Sequence, residues 1–302
     1  MTTGANAWPS ISPEGRIATA PALGQADFGE GPLRPMMVIG DDSGLVRAYR
    51  ADNGELQWRT QLPGSGIRSS PVVVDGVVYV ATTSGFIHTV DLTGEGDVLQ
   101  TFPVEGNGLG RITADLAYSD GFLYVGTEEG FIHVLDISSG ESVEVCNRDL
   151  GFSVTVPPIV VGDIVYVPTL GQQVWTFPSG QCDGSVPDRS FNYFAEAAMD
   201  VAPAVDGDVI YLPAGRFLNP LKLSLQAVAE SSDPNDNFLW PPADVTGQIK
   251  ITAAPVIAGD TVYFGDEEGI VYAVDAVTGE ERWRWNTAVS YTHLTLPTIY
   301  SV

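Results

Sequence analysis

A tyrosine preceded by two apolar or β-branched residues returns five times along the chain: Val77-Val78-Tyr79, Phe122-Leu123-Tyr124, Ile164-Val165-Tyr166, Val209-Ile210-Tyr211 and Thr261-Val262-Tyr263. The intervals are 45, 42, 45 and 52 residues. The register extends beyond the tyrosine. Eight residues before it stand Pro71, Leu116, Pro158, Pro203 and Pro255, and twelve before it Ile67, Ile112, Val154, Met199 and Ile251. A turn pair lies between: Asp75-Gly76, Asp120-Gly121, Gly162-Asp163, Gly207-Asp208 and Gly259-Asp260. Such pairs join hairpin strands because Gly, Asn and Asp reach positive φ at low cost.

A second hairpin follows the tyrosine. Gly85-Phe86-Ile87-His88, Gly130-Phe131-Ile132-His133 and Gly269-Ile270-Val271-Tyr272 open a third strand. It closes at Asp91, Asp136 and Asp275, each followed by a turn glycine (Gly94, Gly140, Gly279). A fourth strand is clearest in Glu280-Glu281-Arg282-Trp283, and an earlier copy runs from Pro21 through Val38 and Gly44 to Gly54 and Trp58. The copy beginning near Met199 is the most degenerate. A four-stranded meander of this size cannot bury both faces alone, so copies must stack around an axis. The expected fold is all-β: a β-propeller of four-stranded antiparallel blades, about six visible, in an incomplete seven- or eight-bladed ring.

The third-to-fourth strand turn carries a motif. Ala273, Asp275, Thr278, Gly279 and Trp283 read A-x-D-x-x-T-G-x-x-x-W, and Ala48, Asp52, Gly54 and Trp58 form a weaker copy. This resembles the tryptophan-docking motif of quinoprotein (PQQ-like) propellers, in particular the repeats of the outer-membrane assembly lipoprotein family. Each residue also has a plain structural use: glycine takes the turn, aspartate bonds turn amides, and tryptophan fills the wedge between neighbouring blades. The resemblance implies a location in the periplasm, cell envelope or outside the cell.

The repeat places residues 1–16 as the end of a truncated preceding blade with a linker, because Trp8 precedes Pro21 by the 13 residues that separate Trp58 from Pro71. Residues 17–288 form the propeller. Residues 289–302 break the register and read as a non-native tail, of the kind left by sequencing adapters in assembled environmental sequences. No signal peptide and no membrane-spanning run is visible in this stretch.

Catalytic chemistry finds little support. The best-known PQQ-dependent dehydrogenases carry a vicinal cysteine pair over the cofactor and a calcium held by Glu, Asn and Asp. Here Cys146 and Cys182 stand 36 residues apart and no acidic set stands out. They match no metal pattern; two buried thiols are the first expectation and one disulfide the alternative. His88 and His133, with Arg47 and Tyr272 in other copies, occupy equivalent mid-blade positions. Neighbouring blades lie about 10 Å apart or more, too far to share a metal, so these residues read as sheet-surface positions. Asp233-Pro234-Asn235-Asp236-Asn237 with Asp244 only faintly resembles a calcium loop, lacking its sixth-position glycine. No catalytic, cofactor or metal residues are assigned; PQQ with calcium enters only if the chain is part of an alcohol or sugar dehydrogenase.

What remains is surface. The second-to-third strand tips, with Asp41-Asp42, Glu128-Glu129 and Asp266-Glu267-Glu268, share one end with the blade connections. Long connections there carry Phe191, Tyr193, Phe194, Phe238 and Trp240. These aromatics are either anchors for a protein or peptide partner or packing onto the blades. The expected role is a non-catalytic binding scaffold; a dehydrogenase fragment or the sensor ectodomain of a larger protein such as a kinase are the alternatives. A net charge of −24 argues against nucleic acid as partner. Turn preference explains only part of that acidity, and the remainder suits salty or extracellular surroundings. The thermal unfolding midpoint should therefore rise by a few degrees between roughly 0.05 and 0.5 M NaCl; a salt-independent midpoint in a calorimetric scan would contradict this reading.

Overall fold

In the computed structural model, residues 15–28, 32–182, 189–192, 198–207, 209–222, 239–240, 243–244 and 249–287 are described. The expected outer strand at residues 1–9 and the tail at 289–302 lie outside them. Six four-stranded antiparallel sheets follow one another, each in simple up-and-down order. The chain divides into two compact units, residues 1–160 with 178–186 and residues 161–177 with 187–302. No described helix is long and apolar enough to cross a membrane.

The first unit holds three blades. They are β1–β4 (Ala22–Ala26, Arg34–Gly40, Leu45–Arg50, Leu56–Gln61), β5–β8 (Val72–Val74, Val77–Ala81, Ile87–Asp91, Val98–Phe102) and β9–β12 (Ala117–Ser119, Phe122–Gly126, Phe131–Asp136, Val143–Asp149). The second unit holds the rest: β13–β16 (Ile159–Val161, Ile164–Pro168, Gln173–Pro178, Arg189–Asn192), β17–β20 (Ala204–Asp206, Val209–Ala214, Phe217–Lys222, Ala243–Asp244) and β21–β24 (Val256–Ala258, Thr261–Gly265, Ile270–Asp275, Glu281–Asn286). Blade β13–β16 begins at the division between units. The repeat thus gave the fold and the blade count, including the degenerate copy, whose fourth strand returns only at Ala243.

Within each blade the second and third strands are buried on both faces, which explains their continuous apolar runs. The cores lie between neighbouring blades. Met36, Val38, Val46 and Ala48 of the first blade close over Val78, Val80 and Val90 of the second. Ala81 and Ile87 meet Leu123, Val125 and Leu135 of the third. In the second unit Tyr211 and Leu218 pack with Val262, Phe264 and Val274. The turn Asp75-Gly76 has φ of 47° and 79°, the left-handed pair that a two-residue hairpin requires.

The tryptophan motif becomes intelligible from the register. A β-bulge lies between Ala48 and Tyr49 on β3, and the last pair before it is Ala48 with Trp58. Trp58 is buried, and its indole Nε1 donates to the carbonyl of Leu92 in the next blade at 3.1 Å. Gly96, at φ 80°, lies beneath the ring; a Cβ there would fall 2.5 Å from the indole. In the second unit the equivalent contact belongs to Trp240. Its Nε1 donates to Ala276 O at 3.1 Å, and a Cβ on Gly279 would stand 2.6 Å from its ring. The repeated tyrosine adds to the same joint, because Tyr211 Oη donates to Ala276 O at 2.9 Å.

Two expectations change here. Trp283, paired with Ala273 beside the same bulge, does not fill a wedge: it is 46% exposed and leans on Tyr263 at 5.8 Å between ring centroids. The turn of a following blade, which covers Trp58, has no counterpart over Trp283 among the described residues. Cys146 and Cys182 are not free thiols but a disulfide, both partners lying in the first unit. The spacing could not reveal this, because their approach is set by blade packing and not by local sequence. Trp58→Ala should cost about 3–5 kcal/mol of stability, whereas Trp283→Ala should cost about 1 kcal/mol or less, measured by denaturant unfolding of both variants.

Candidate partner-binding face

Each connection between blades is pinned at one end of the sheets. Ile67 N donates to Asp41 O at 2.9 Å, and Thr83 N donates to Gly66 O at 2.9 Å, so this connector is held between the second-to-third strand turns of the first and second blades. Glu128 N to Arg111 O and Val154 N to Thr127 O, each 2.9 Å, repeat the arrangement. In the second unit Glu267 N bonds Lys250 O at 3.0 Å. The opposite end carries the other turns, as Leu92 N to Gly76 O at 2.9 Å and Ala276 N to Asp260 O at 2.9 Å show. There Arg282 bridges Asp260 and Asp275, and its hydrogen bond, with the Thr278 and Val277 amides, holds the Asp275 carboxyl well below the usual range.

The second-to-third strand turns begin on a buried polar residue in five of the six blades, Asp41, Thr82, Thr127, Thr169 and Asp266; the fifth blade turns instead through Ala214 and Gly215. Asp41 and Asp266 are therefore not surface acids. Each folds its carboxylate back over its own turn, Asp41 accepting from Ser43 N at 2.9 Å and Leu45 N at 3.1 Å, and Asp266 from Glu268 N at 3.0 Å and Ile270 N at 2.9 Å. Their second oxygens meet the mid-blade residues. Arg47 Nη1 donates to Asp41 Oδ2 at 2.8 Å, and Tyr272 Oη donates to Asp266 Oδ2 at 2.8 Å.

In the second and third blades, where the turn carries Thr82 and Thr127, the mid-blade residue is histidine; in the fourth, Thr169 is followed at that position by Trp175. His88 Nδ1 pairs with Thr101 Oγ1 at 2.9 Å and His133 Nδ1 with Glu144 Oε1 at 2.7 Å. Arg47, His88, His133 and Tyr272 are all buried, so the surface assignment made from sequence is corrected: in stacked blades a sheet face is an interior. Burial depresses the His88 pKa, favouring the neutral ring. Burial pushes the Tyr166 pKa up to about 12. Among the described residues no group of His, Cys, Asp and Glu converges as a metal site requires.

The exposed side chains on this end of the first unit are few and distinct. Arg68 follows Ile67 on its connector and is exposed. Arg111 precedes Ile112, is 47% exposed and reaches Glu128 Oε1 at 3.2 Å, which also accepts from Thr113 Oγ1 at 2.9 Å. Phe152, 47% exposed, is held by its backbone against Gly130. In the second unit Lys250 pairs with Asp200 across the equivalent connector. Sequence reasoning passed over Arg68, Arg111 and Phe152, although the repeat register marks them: Arg68 and Arg111 flank the pinned Ile, and Phe152 stands two residues before Val154.

Of the aromatics expected here, Phe191 lies on β16 opposite Val174. Tyr193, Phe194 and Phe238 lie outside the described residues. Trp240 is 6% exposed and serves the blade joint, not a partner surface. The weak calcium-loop segment also lies outside, except for the backbone of Asp244.

Six meander sheets, with bulge-paired residues docked on the next turn, define a PQQ-like β-propeller. The chain belongs to the family described as Outer membrane protein assembly factor BamB, whose model matches residues 2–99 and 94–291. BamB from Shewanella oneidensis is 24% identical over 258 residues, covering 82% of this chain and 60% of that protein. The serine/threonine-protein kinase AfsK of Streptomyces griseus is 34% identical over 116 residues, which is 38% of this chain and 12% of the kinase. The chain thus spans less than two thirds of either relative. The crystal structure of BamB from Moraxella catarrhalis has the same fold, with a TM-score of 0.70 at 21% identity over 96% of this chain and 80% of that one. The computationally designed Ika8 protein follows at 0.54 and 16%, covering 94% and 92%.

The turn chemistry makes a clean prediction. Asp41→Thr strands the buried Arg47 guanidinium and should cost about 3–5 kcal/mol; adding Arg47→His, the pairing used in the second and third blades, should recover most of it in urea unfolding. Burial opposes ionisation of Asp41, but hydrogen bonds from Ser43, Arg47 and the Leu45 amide outweigh it and lower its pKa. Its contribution is complete above the unfolded carboxylate range, near pH 4, and is lost as pH falls through the lower folded value.

Proposed function

We propose that the chain is a non-catalytic, protein-binding scaffold of the cell envelope or exterior, engaging its partner through the connector end of the propeller. One observation carries the reading: Arg68, Arg111 and Phe152 stand exposed on connectors whose backbone is hydrogen-bonded to the second-to-third strand turns, from both sides for Arg68 and Arg111 and from the third blade for Phe152. Arginine and aromatic side chains held on a rigid frame lose little entropy on binding, which is what anchors an interface. Membership of a family described as an outer membrane protein assembly factor supports an envelope partner. The Cys146–Cys182 disulfide fits an oxidising compartment.

The kinase relative supports a second reading, in which the propeller is the sensing part of a larger signalling protein. A kinase domain and membrane span in the complete reading frame would favour it. The dehydrogenase alternative is met by assay: turnover of alcohols or sugars with PQQ and calcium, followed by dye reduction, would overturn the scaffold reading. For the scaffold itself, a photo-crosslinking residue at Phe152 should form protein adducts in the envelope of an expressing bacterium, while the same residue at Asp120, on the opposite end, should not. Equal labelling at both positions would rule out the connector end as the binding face.

A further inference from the structure

The residue paired beside the bulge on the fourth strand grips a neighbouring third-to-fourth strand turn, and in the third blade that residue is Cys146. The registers coincide: Ala48 with Trp58, Thr89 with Gln100, Val134 with Cys146, each followed at once by the bulge. Trp58 holds its turn by packing and one hydrogen bond. Cys146 holds residues 178–182 by a covalent bond to Cys182.

Weaker contacts complete this joint. Tyr124 Oη pairs with Ser179 Oγ at 2.6 Å, Gly180 N donates to Tyr124 Oη at 3.0 Å, and the Phe122 ring lies where a Cβ on Gly180 would be. Cys182 is 2% exposed, whereas Cys146, on an outermost strand, is partly exposed. Cys146 is thus the less buried end of the bond and the one a reductant would meet first.

We propose that Cys146–Cys182 is a reducible latch on segment 178–182, the chemically switchable member of the turn clamps seen among the described residues. A dithiol opens it by thiol–disulfide exchange: its thiolate attacks Cys146 Sγ, the S–S bond breaks and Cys182 leaves as thiolate. The second thiol of the reductant then displaces Cys146, giving a cyclic disulfide and two protein thiols, with two electrons and two protons transferred. The hydrogen bonds from Tyr124 and Gly180 are each worth only about 1 kcal/mol, so they do not keep the segment closed alone. The blades of the first unit stay folded, because their cores, centred on Trp58, Val80 and Leu123, contain neither cysteine.

The test is hydrogen exchange and limited proteolysis of the intact chain before and after treatment with dithiothreitol, with thiol alkylation to count opened bonds. Reduction should raise exchange in 178–182 by about tenfold or more while β2, β6 and β10 keep their protection. Exchange in 178–182 that does not change would overturn the proposal, showing the segment held without the bond. Loss of protection throughout the first unit would also overturn it, showing a staple for the whole core. The Cys146→Ser, Cys182→Ser double variant should reproduce the reduced pattern; if it fails to fold, reduction of the prefolded chain decides alone.

Discussion

The contact on which this propeller depends is the grip of one blade on the third-to-fourth strand turn of the next. A blade is a thin sheet with apolar residues on both faces, so its stability resides almost wholly in what its neighbours cover. The β-bulge after Ala48, Thr89, Val134 and Ala273 bends the fourth strand and aims one side chain outward from it. What stands there can vary because only reach is required. Trp58 spans the gap with an indole, Gln100 exchanges hydrogen bonds with Ser142, accepting from its amide at 2.8 Å, and Cys146 forms a disulfide. The residue across the pair adjusts: alanine faces each tryptophan, while threonine and valine face the smaller side chains.

A second constraint is polar and lies inside. In five of the six blades the turn between the second and third strands opens on a buried side-chain acceptor, which takes one of two forms. Threonine satisfies the turn with a neutral hydroxyl. Aspartate does so with more hydrogen bonds but brings a charge, which must be met from the adjacent strand. Arg47 answers Asp41 with a cation and Tyr272 answers Asp266 with a hydroxyl, six residues on in both cases. The second and third blades, with threonine at the turn, place histidine at that position and orient it through the fourth strand, while the fourth blade pairs Thr169 with Trp175 there. The two sites are thus chosen together, and a lone substitution at either leaves a buried group unmatched.

This explains which parts of the molecule could be read in advance. Strand order and blade count follow from local patterns: paired turn residues, apolar runs, and a tyrosine at fixed spacing. The tryptophan motif was legible as a structural device for the same reason. The burial of Asp41, Arg47 and His88 was not, because period-two reasoning assigns a polar residue on a strand to an open face, and a stacked blade has none. Trp240 was misplaced because it stands beyond a long insertion that breaks the repeat spacing, so its kinship with Trp58 shows only in the contact with Ala276 and Gly279. The cysteines lacked any local signal, since Cys146 is marked only by sharing a register position with Trp58.

The division of labour between ends of the blade follows from these constraints. At the clamp end side chains are committed: Asp275, Arg282, Gly279 and the docking residues each meet a specific partner, and the turn cannot change without loosening a joint. At the connector end backbone bonds from Ile67 N, Thr83 N, Glu128 N and Val154 N do much of the holding, with Thr113 and Ser153 adding side-chain bonds. Gly66, whose Cβ would fall 2.3 Å from Asp42 O, shows how close that approach is. A segment fixed largely by its main chain relieves its outward side chains of most structural duty. Arg68 and Phe152, and Arg111 beyond its ion pair with Glu128, can therefore be selected for what they touch outside the protein.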